Sequence, residues 1–284
     1  MIHKHPYFDL LLHDDSELSA IIGGQITERI TLHEWPGSCV QKIVTDTGQW
    51  VYKSQRGHSV EAEFYANARS PLLPAAQTIY QSNDHFCLLI DYIAGDLLED
   101  AALNESEAVQ IGKALIGQIR QIRGVLPRIY DANTVDSWTS LMNGMSETIR
   151  RLIKAGTYHH TTEEHVQALQ QRALSSTVCQ PILRQTGFVH GDFTGDNIFR
   201  TATGYRVIDW AYPRLGPPDI DLANLMESLG FDPLNHVAPG IVVMMYCMRI
   251  KHFVEFTTIW FPDGAETYDQ QVSALIERIT AIEP

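Results

Sequence analysis

Phe188-Val189-His190-Gly191-Asp192-Phe193-Thr194-Gly195-Asp196-Asn197-Ile198-Phe199, followed by Val207-Ile208-Asp209-Trp210, carries most of the chemical information in this chain. Asp192 and Asn197 stand five residues apart, and Asp209 follows twelve later. Each polar cluster is bounded by apolar pairs of strand type, Phe188-Val189, Ile198-Phe199 and Val207-Ile208. Arg200–Tyr205, with Gly204 inside it, predicts a hairpin turn between the last two strands. Such a hairpin gathers two carboxylates and a carboxamide at one end. Phosphoryl transfer needs that set, because the protein's work there is positioning and charge neutralisation. One carboxylate takes the proton of an attacking hydroxyl. A hard divalent ion such as Mg²⁺ takes oxygen ligands, which an Asn carbonyl and an Asp carboxylate supply.

The spacing His-x-Asp-x-x-x-x-Asn is that of the kinase catalytic loop. With Gly191 after His190, and Ile208-Asp209-Trp210 in place of Asp-Phe-Gly, the segment resembles the aminoglycoside phosphotransferase and choline kinase superfamily. His190 through Phe199 is similar to the antibiotic kinases of that group. Gly216-Pro217-Pro218-Asp219-Ile220-Asp221-Leu222-Ala223 resembles the family's next segment. There Asp221 is implied to brace the loop or to cap a helix. The resemblance implies Asp192 as catalytic base, Asn197 and Asp209 as Mg²⁺ ligands, and His190 as a scaffold residue rather than a base. It also implies ATP or GTP as phosphate donor.

Working outward toward the N-terminus, strands are predicted over Ile26–His33, Cys39–Thr45, Gln49–Ser54, Thr78–Tyr80 and Phe86–Ile90, with Asp46-Thr47-Gly48 and Trp35-Pro36-Gly37-Ser38 as turns. One helix is predicted over Ser59–Ala68, with Val60, Phe64 and Ala68 on one face and Ser59 as N-cap. A nucleotide-binding lobe of this family needs a lysine for the phosphates and a helix glutamate to hold it. The resemblance makes Lys53, inside Trp50-Val51-Tyr52-Lys53, the phosphate lysine. A lysine in an apolar strand is costly to bury without a partner, and the partner is Glu61 or Glu63. At 100° per residue, Glu61 lies about 60° from the buried face and Glu63 about 100°, which favours Glu61. The family's Glu-x-x-Phe-Tyr pattern also falls on Glu61, Phe64 and Tyr65. By the same resemblance Ser38 contacts phosphate, and the backbone of Asp91 and Ile93 meets the adenine edge.

Beyond Gly95 the periodicity becomes helical, over Glu105–Ile122, Trp138–Ile153 and Glu163–Leu174, and again from about Asp221. The apolar run Ile241–Met248 is too short to span a bilayer and is expected to be a buried helix. The expected fold is therefore α+β, a protein-kinase-like two-lobe arrangement. Residues 1–92 form a small antiparallel-sheet lobe with one helix that binds nucleotide. Residues 93–284 form a larger, mainly helical catalytic and substrate-binding lobe.

Composition bounds the partners. The 284 residues are 44% hydrophobic and 19% charged, with a net charge of -13. Such a chain repels nucleic acid and anionic membranes, and the expected acceptor is a neutral or cationic small molecule. Cys39, Cys87, Cys179 and Cys247 form no CxxC pair, so zinc is not expected. Unpaired cysteines and an N-terminus without signal-peptide features point to a cytoplasmic protein.

The function expected is transfer of the γ-phosphate to a hydroxyl of an aminoglycoside or other antibiotic, an amino alcohol such as choline, or a sugar. Acidic Glu227, Asp232, Glu255, Asp263 and Glu266 and aromatic Trp138, Trp210, Tyr212 and Trp260 are candidates for a cationic pocket. Two alternatives stand. A protein Ser/Thr kinase is disfavoured by Gly191 where such enzymes carry Arg, and by the short span from Asp209 to Asp221. A non-catalytic kinase-fold module need not keep all of Lys53, Asp192, Asn197 and Asp209.

Overall fold

A computed structural model describes residues 2–57 and 59–283. Its strands in chain order are β1 His3–Lys4, β2 Leu11–Leu12, β3 Ile26–Trp35, β4 Ser38–Thr45, β5 Gln49–Arg56, β6 Ala76–Gln81, β7 His85–Asp91, β8 Asp96–Leu97, β9 Tyr130–Asp131, β10 Gly187–Val189, β11 Ile198–Thr201, β12 Gly204–Val207 and β13 Arg214–Gly216. The α-helices are α1 Asp15–Ile22, α2 Glu61–Asn67, α3 Glu105–Ile119, α4 Val135–Lys154, α5 Glu163–Ala173, α6 Ser176–Arg184, α7 Asp219–Ser228, α8 Pro239–Glu255 and α9 Ala265–Ala281. The chain divides into two compact units. One comprises Met1–Leu98, Ile122–Pro127 and Asp196–Tyr212; the other comprises Glu99–Gln121, Arg128–Gly195 and Pro213–Pro284. A single cut near residue 92 does not describe this interleaving, since the β11–β12 hairpin packs with the first unit.

In the first unit five antiparallel strands run in the order β3-β4-β5-β7-β6. Alternation along β4 buries Cys39 and Ile43, which join Leu10, Leu12, Leu18, Tyr52 and Cys87 in one core. The Asp46-Thr47-Gly48 turn is closed by Thr45, whose hydroxyl accepts from the N–H groups of Thr47 and Gly48. Helix α1 is absent from the sequence expectations. The structure supplies its reason: Asp14 caps it by accepting the Glu17 N–H at 2.9 Å, and Gly23 ends it at φ 76°. Helix α2 begins two residues later than predicted, although the Ser59 hydroxyl does accept the Glu61 N–H at 3.2 Å. A second, three-stranded sheet of order β12-β11-β8 completes the unit.

The second unit is mainly helical. Capping boxes open α3 at Asn104, α4 at Thr134 and α5 at Thr162. Helix α6 escapes a periodicity reading because Pro181 lies inside its nine residues, and an interior proline reads as a helix breaker. Helix α8, from which Ile241–Met248 emerges buried as expected, continues into a π-helical turn over Phe256–Trp260. Three short strands, β10-β13-β9, form a small sheet in which β13 pairs antiparallel with β10 and parallel with β9. Among the described residues no helix is long and apolar enough to cross a membrane. The four cysteines are free thiols.

One buried carboxylate staples this unit. Asp269 of α9 has no solvent exposure and accepts the backbone N–H groups of His159, His160 and Thr161 at 2.5, 2.7 and 2.9 Å. Burial alone would raise its pKa; these hydrogen bonds outweigh burial and hold it below the usual carboxylate value. A depressed native pKa means stability that is present above the unfolded value and lost as pH falls through the native one. Asp269→Ala is expected to cost about 3 kcal/mol, the scale of losing hydrogen bonds to a charged acceptor, and to flatten the acid limb of the stability profile. Denaturant melts between pH 3 and 7 check this; a change within ~0.5 kcal/mol, as at an ordinary surface site, would sink it.

Candidate active site

Lys53 sits in the middle of β5, opposite Val40 on β4 and Leu88 on β7. The strand is apolar there, and Lys53 is 8% exposed. Burial opposes its charge, but the carboxylates of Asp209 and Glu61 outweigh that effect and hold the ammonium more firmly protonated than usual. Its Nζ lies 2.6 Å from Glu61 and 3.1 Å from Asp209. Glu61 is buried, and burial pushes its pKa up to about 7 against the pull of Lys53. Glu63 is exposed on the other side of α2.

The turn carrying Asp209 is held by contacts that sequence patterns do not show. The Trp210 ring stacks on Phe64 at 4.3 Å and 10°, and its indole N–H donates to the Val207 carbonyl at 3.0 Å. Phe64 lies three residues beyond Glu61, on the same helix face. The stack thus sets Glu61 against the Asp209 turn, where the Trp210 backbone N–H donates to the Glu61 carboxylate. Asp209 itself has φ 60°, the single non-glycine residue with positive φ among the described residues. Asp tolerates this left-handed region better than most residues, and the surrounding contacts impose it. Tyr65, given no role of its own by the sequence, lies buried near both Glu61 and Asp209. The sequence signals for Tyr65 and Trp210 were Glu-x-x-Phe-Tyr and Ile-Asp-Trp.

Lys53, Glu61, Asp209, Asp91 and Ile93 line one cavity of about 170 Å³ with apolar walls from Val40, Val51 and Ile90. Asn197 is buried at the base of the β11–β12 hairpin. Its backbone carbonyl accepts the Ile208 N–H at 3.0 Å, which brings Asn197 and Asp209 to the same end of the hairpin. Ser38 does not line the cavity. It is buried at the start of β4, on the same strand face as Val40. Asp91 gives its N–H to the Ala75 carbonyl at 2.9 Å.

In the second unit β10 delivers the loop that carries Asp192. Asp221 of α7 accepts the N–H groups of His190 and Gly191 at 2.8 and 3.0 Å. Of the two roles left open for Asp221, loop bracing is the one seen; it lies inside α7, whose N-cap is Pro218. Burial pushes its pKa up to about 6 despite those hydrogen bonds and the nearby Arg214. His190 Nδ1 accepts the Asp192 N–H at 3.2 Å, so this nitrogen is unprotonated in the neutral ring. Gly191 has φ 90°, where a side chain would be strained. Arg214, fully buried, donates to the Gly191 carbonyl at 2.5 Å. The loop is thus gripped at its N–H groups by Asp221 and at a carbonyl by Arg214.

Residues 40–244 match the model of the phosphotransferase enzyme family. The chain belongs to this family. Among curated proteins, methylthioribose kinase of Bacillus cereus (strain AH820) is 27% identical over 93 residues, which is 32% of this chain. The match spans about a quarter of that relative's length (24%). Among solved structures, a thermostable mutant of aminoglycoside phosphotransferase APH(4)-Ia in complex with ADP and hygromycin B has a TM-score of 0.60 at 14% identity, covering 94% of this chain and 98% of that one. A choline/ethanolamine kinase family protein from Mesorhizobium loti gives 0.63 at 13% identity, over 94% and 92%. At such identities these phosphotransferase neighbours show the shared two-lobe α+β fold.

The candidates for a cationic pocket fare differently. Glu227 is engaged by Arg249, Arg278 and the Tyr246 hydroxyl, Glu266 by His160, and Asp232 by the Leu234 N–H. Trp138 is a core residue donating to the Ala173 carbonyl, and Trp210 is covered by Phe64. The two rings belong to the core, and the three acids each have a partner within the chain.

Proposed function

We propose that this phosphotransferase is an ATP- and Mg²⁺-dependent kinase that phosphorylates a hydroxyl of a small molecule. The observation that carries the reading is Lys53 held between Glu61 and Asp209 in a cavity with apolar walls. An ammonium so placed is a fixed point charge for nucleotide phosphates. The cavity walls and the Asp91–Ile93 backbone suit a purine, with the Asp91 N–H already spent on Ala75. Ser38 is assigned to phosphate contact at the hairpin tip. ADP in the APH(4)-Ia complex accords with ATP as donor.

Asn197 and Asp209 would hold Mg²⁺. The donor set fits: a carboxamide oxygen and a carboxylate, both hard oxygen ligands at one end of a hairpin. The bound ion would screen the negative oxygens of the phosphates. Asp192 accepts the proton of the acceptor hydroxyl. The hydroxyl oxygen forms a bond to the γ-phosphorus, the bond from that phosphorus to the β,γ-bridging oxygen breaks, and its electron pair leaves with ADP. Asp221, Arg214 and His190 keep the Asp192 loop in one conformation, so little reorganisation remains for the reaction.

Replacing Lys53 by Ala is expected to raise KM for ATP and lower kcat together. Glu61→Ala is expected to do the same more mildly, and exposed Glu63 to be silent. Nucleotide titration and coupled turnover assays on the three variants, across aminoglycosides, macrolides, choline and amino sugars, form the test. A damaging Glu63→Ala beside a silent Glu61→Ala would refute the ion-pair assignment; wild-type protein inert on every class would count against the kinase reading.

A further inference from the structure

A cavity of about 950 Å³ lies wholly in the helical unit, among α4, β9, α8 and the π-helical turn. Arg214 links its Tyr130 end to the Asp192 loop. Tyr130 on β9 stands in register with Arg214 on β13, and Arg214 donates to the Gly191 carbonyl. The same guanidinium lies within electrostatic range of Tyr130, Glu255 and Asp192. Two of its nitrogens, Nε and Nη1, have no hydrogen-bond partner among the described residues.

The lining is chemically distinctive. Ile129, Leu141, Met145, Val254 and Ile259 make apolar walls. Four lining residues are charged, Asp131 and Glu255 against Arg151 and Lys251, so the cavity has no net charge. Both acids are already paired. Asp131 is held by Arg128 at 2.5 Å, while Glu255 accepts from Lys251 and from the Tyr130 hydroxyl. Lys251 also lies over the Tyr130 ring, 4.8 Å from its centre, so the aromatic face a cation would use is occupied. A polycation entering here would lose hydration and find no unpaired carboxylate. The charge of -13 belongs to the whole chain and not to this site.

We propose that this cavity is the acceptor subsite and that it takes an uncharged hydroxyl compound with an apolar body. The hydroxyl end lies toward Tyr130 and the apolar body runs along α4 to Ile259. This rests on the kinase reading and narrows it, excluding the cationic acceptors that the sequence left open. A volume near the top of the ~300–1,000 Å³ range for ligand pockets admits a bulky body. A side chain at Gly144 would narrow the cavity. Gly144 is an exposed residue of α4 on the cavity wall, and a Cβ built there meets no atom within 4 Å.

The test is calorimetric binding to the full chain without nucleotide. The probes are methyl, butyl, hexyl and octyl β-glucosides below micelle concentration, with kanamycin as polycation. Affinity is expected to rise with chain length, by up to about fourfold per methylene buried, and kanamycin to bind more weakly than the octyl probe. Gly144→Leu is expected to weaken octyl glucoside binding at least ~10-fold, since its side chain takes the space the alkyl chain needs. Folding should be unharmed or improved, because leucine replaces glycine within a helix. Ile259→Asp, at a half-exposed wall position, should also weaken it. A chain-length response that is flat, tighter binding of kanamycin, or a Gly144→Leu protein with unchanged affinity would each overturn the inference. ATP-dependent transfer, assayed separately, divides the two readings. Chain-length-dependent binding with no transfer to any acceptor supports the cavity and sinks the kinase; transfer to cationic acceptors alone does the reverse.

Discussion

Asp192→Asn is expected to lower kcat at least ~10²-fold while leaving the affinity for ATP·Mg²⁺ nearly unchanged. The lower bound follows from the ~10²–10⁴-fold cost of losing a general base. A carboxylate is too weak a base to remove a proton from an alcohol early in the reaction. It orients the hydroxyl and receives the proton late, so its position counts as much as its basicity. The structure favours a clean result from this variant. Asp192 is anchored through its backbone, with its N–H on His190 Nδ1, and the flanking peptides are held by Asp221 and Arg214. An isosteric Asn leaves all of that in place. Calorimetric nucleotide binding and steady-state turnover on the same preparation decide the matter. Loss of binding along with turnover would make Asp192 a metal ligand or a fold residue. Normal turnover would remove it from the mechanism.

Asp209→Ala is expected to reduce transfer by at least ~10³-fold, the upper scale for deleting one preorganised electrostatic group. Two effects combine. The carboxylate proposed to hold Mg²⁺ is lost, and Lys53 keeps only Glu61 of its two carboxylate partners. The specific signature lies in the metal. Nucleotide affinity measured with and without Mg²⁺ should differ for the wild type, and that difference should largely vanish in the variant. Stability should fall little, because the Phe64–Trp210 stack remains and Ala adopts positive φ only at modest cost beside that packing. Near-normal turnover, or an intact Mg²⁺ increment, would show that Asp209 is not a ligand.

The parts of this fold that could be read in advance are those with local signals. The five main strands announce themselves by alternation and by turns such as Asp46-Thr47-Gly48, and each is found within a few residues of its expected span. Helices α3, α4 and α5 follow their 3.6-residue period, although Ile122, predicted as the end of α3, falls in the other unit. The elements that escaped lack such signals. Helix α1 is eight residues long with a weak apolar face, and α6 contains Pro181.

The candidate site divides in the same way. His190, Asp192, Asn197 and Asp209 could be singled out from one sequence because their spacing is short-range and matches a known loop. The choice of Glu61 over Glu63 could be made from helix geometry alone, and the structure brings Glu61 to Lys53. Periodicity, turn chemistry and motif spacing act over a few residues, so the sequence by itself determined most of the elements, the candidate catalytic segment and the family. Contacts between distant residues obey no such period. Only the tertiary structure decided that Trp210 stacks on Phe64, that Arg214 and Asp221 grip the Asp192 loop, and that Lys251 and Glu255 neutralise each other beside Tyr130. Net charge could suggest a cationic acceptor, but a charge acts on its neighbours through distance and burial, and those are fixed by packing.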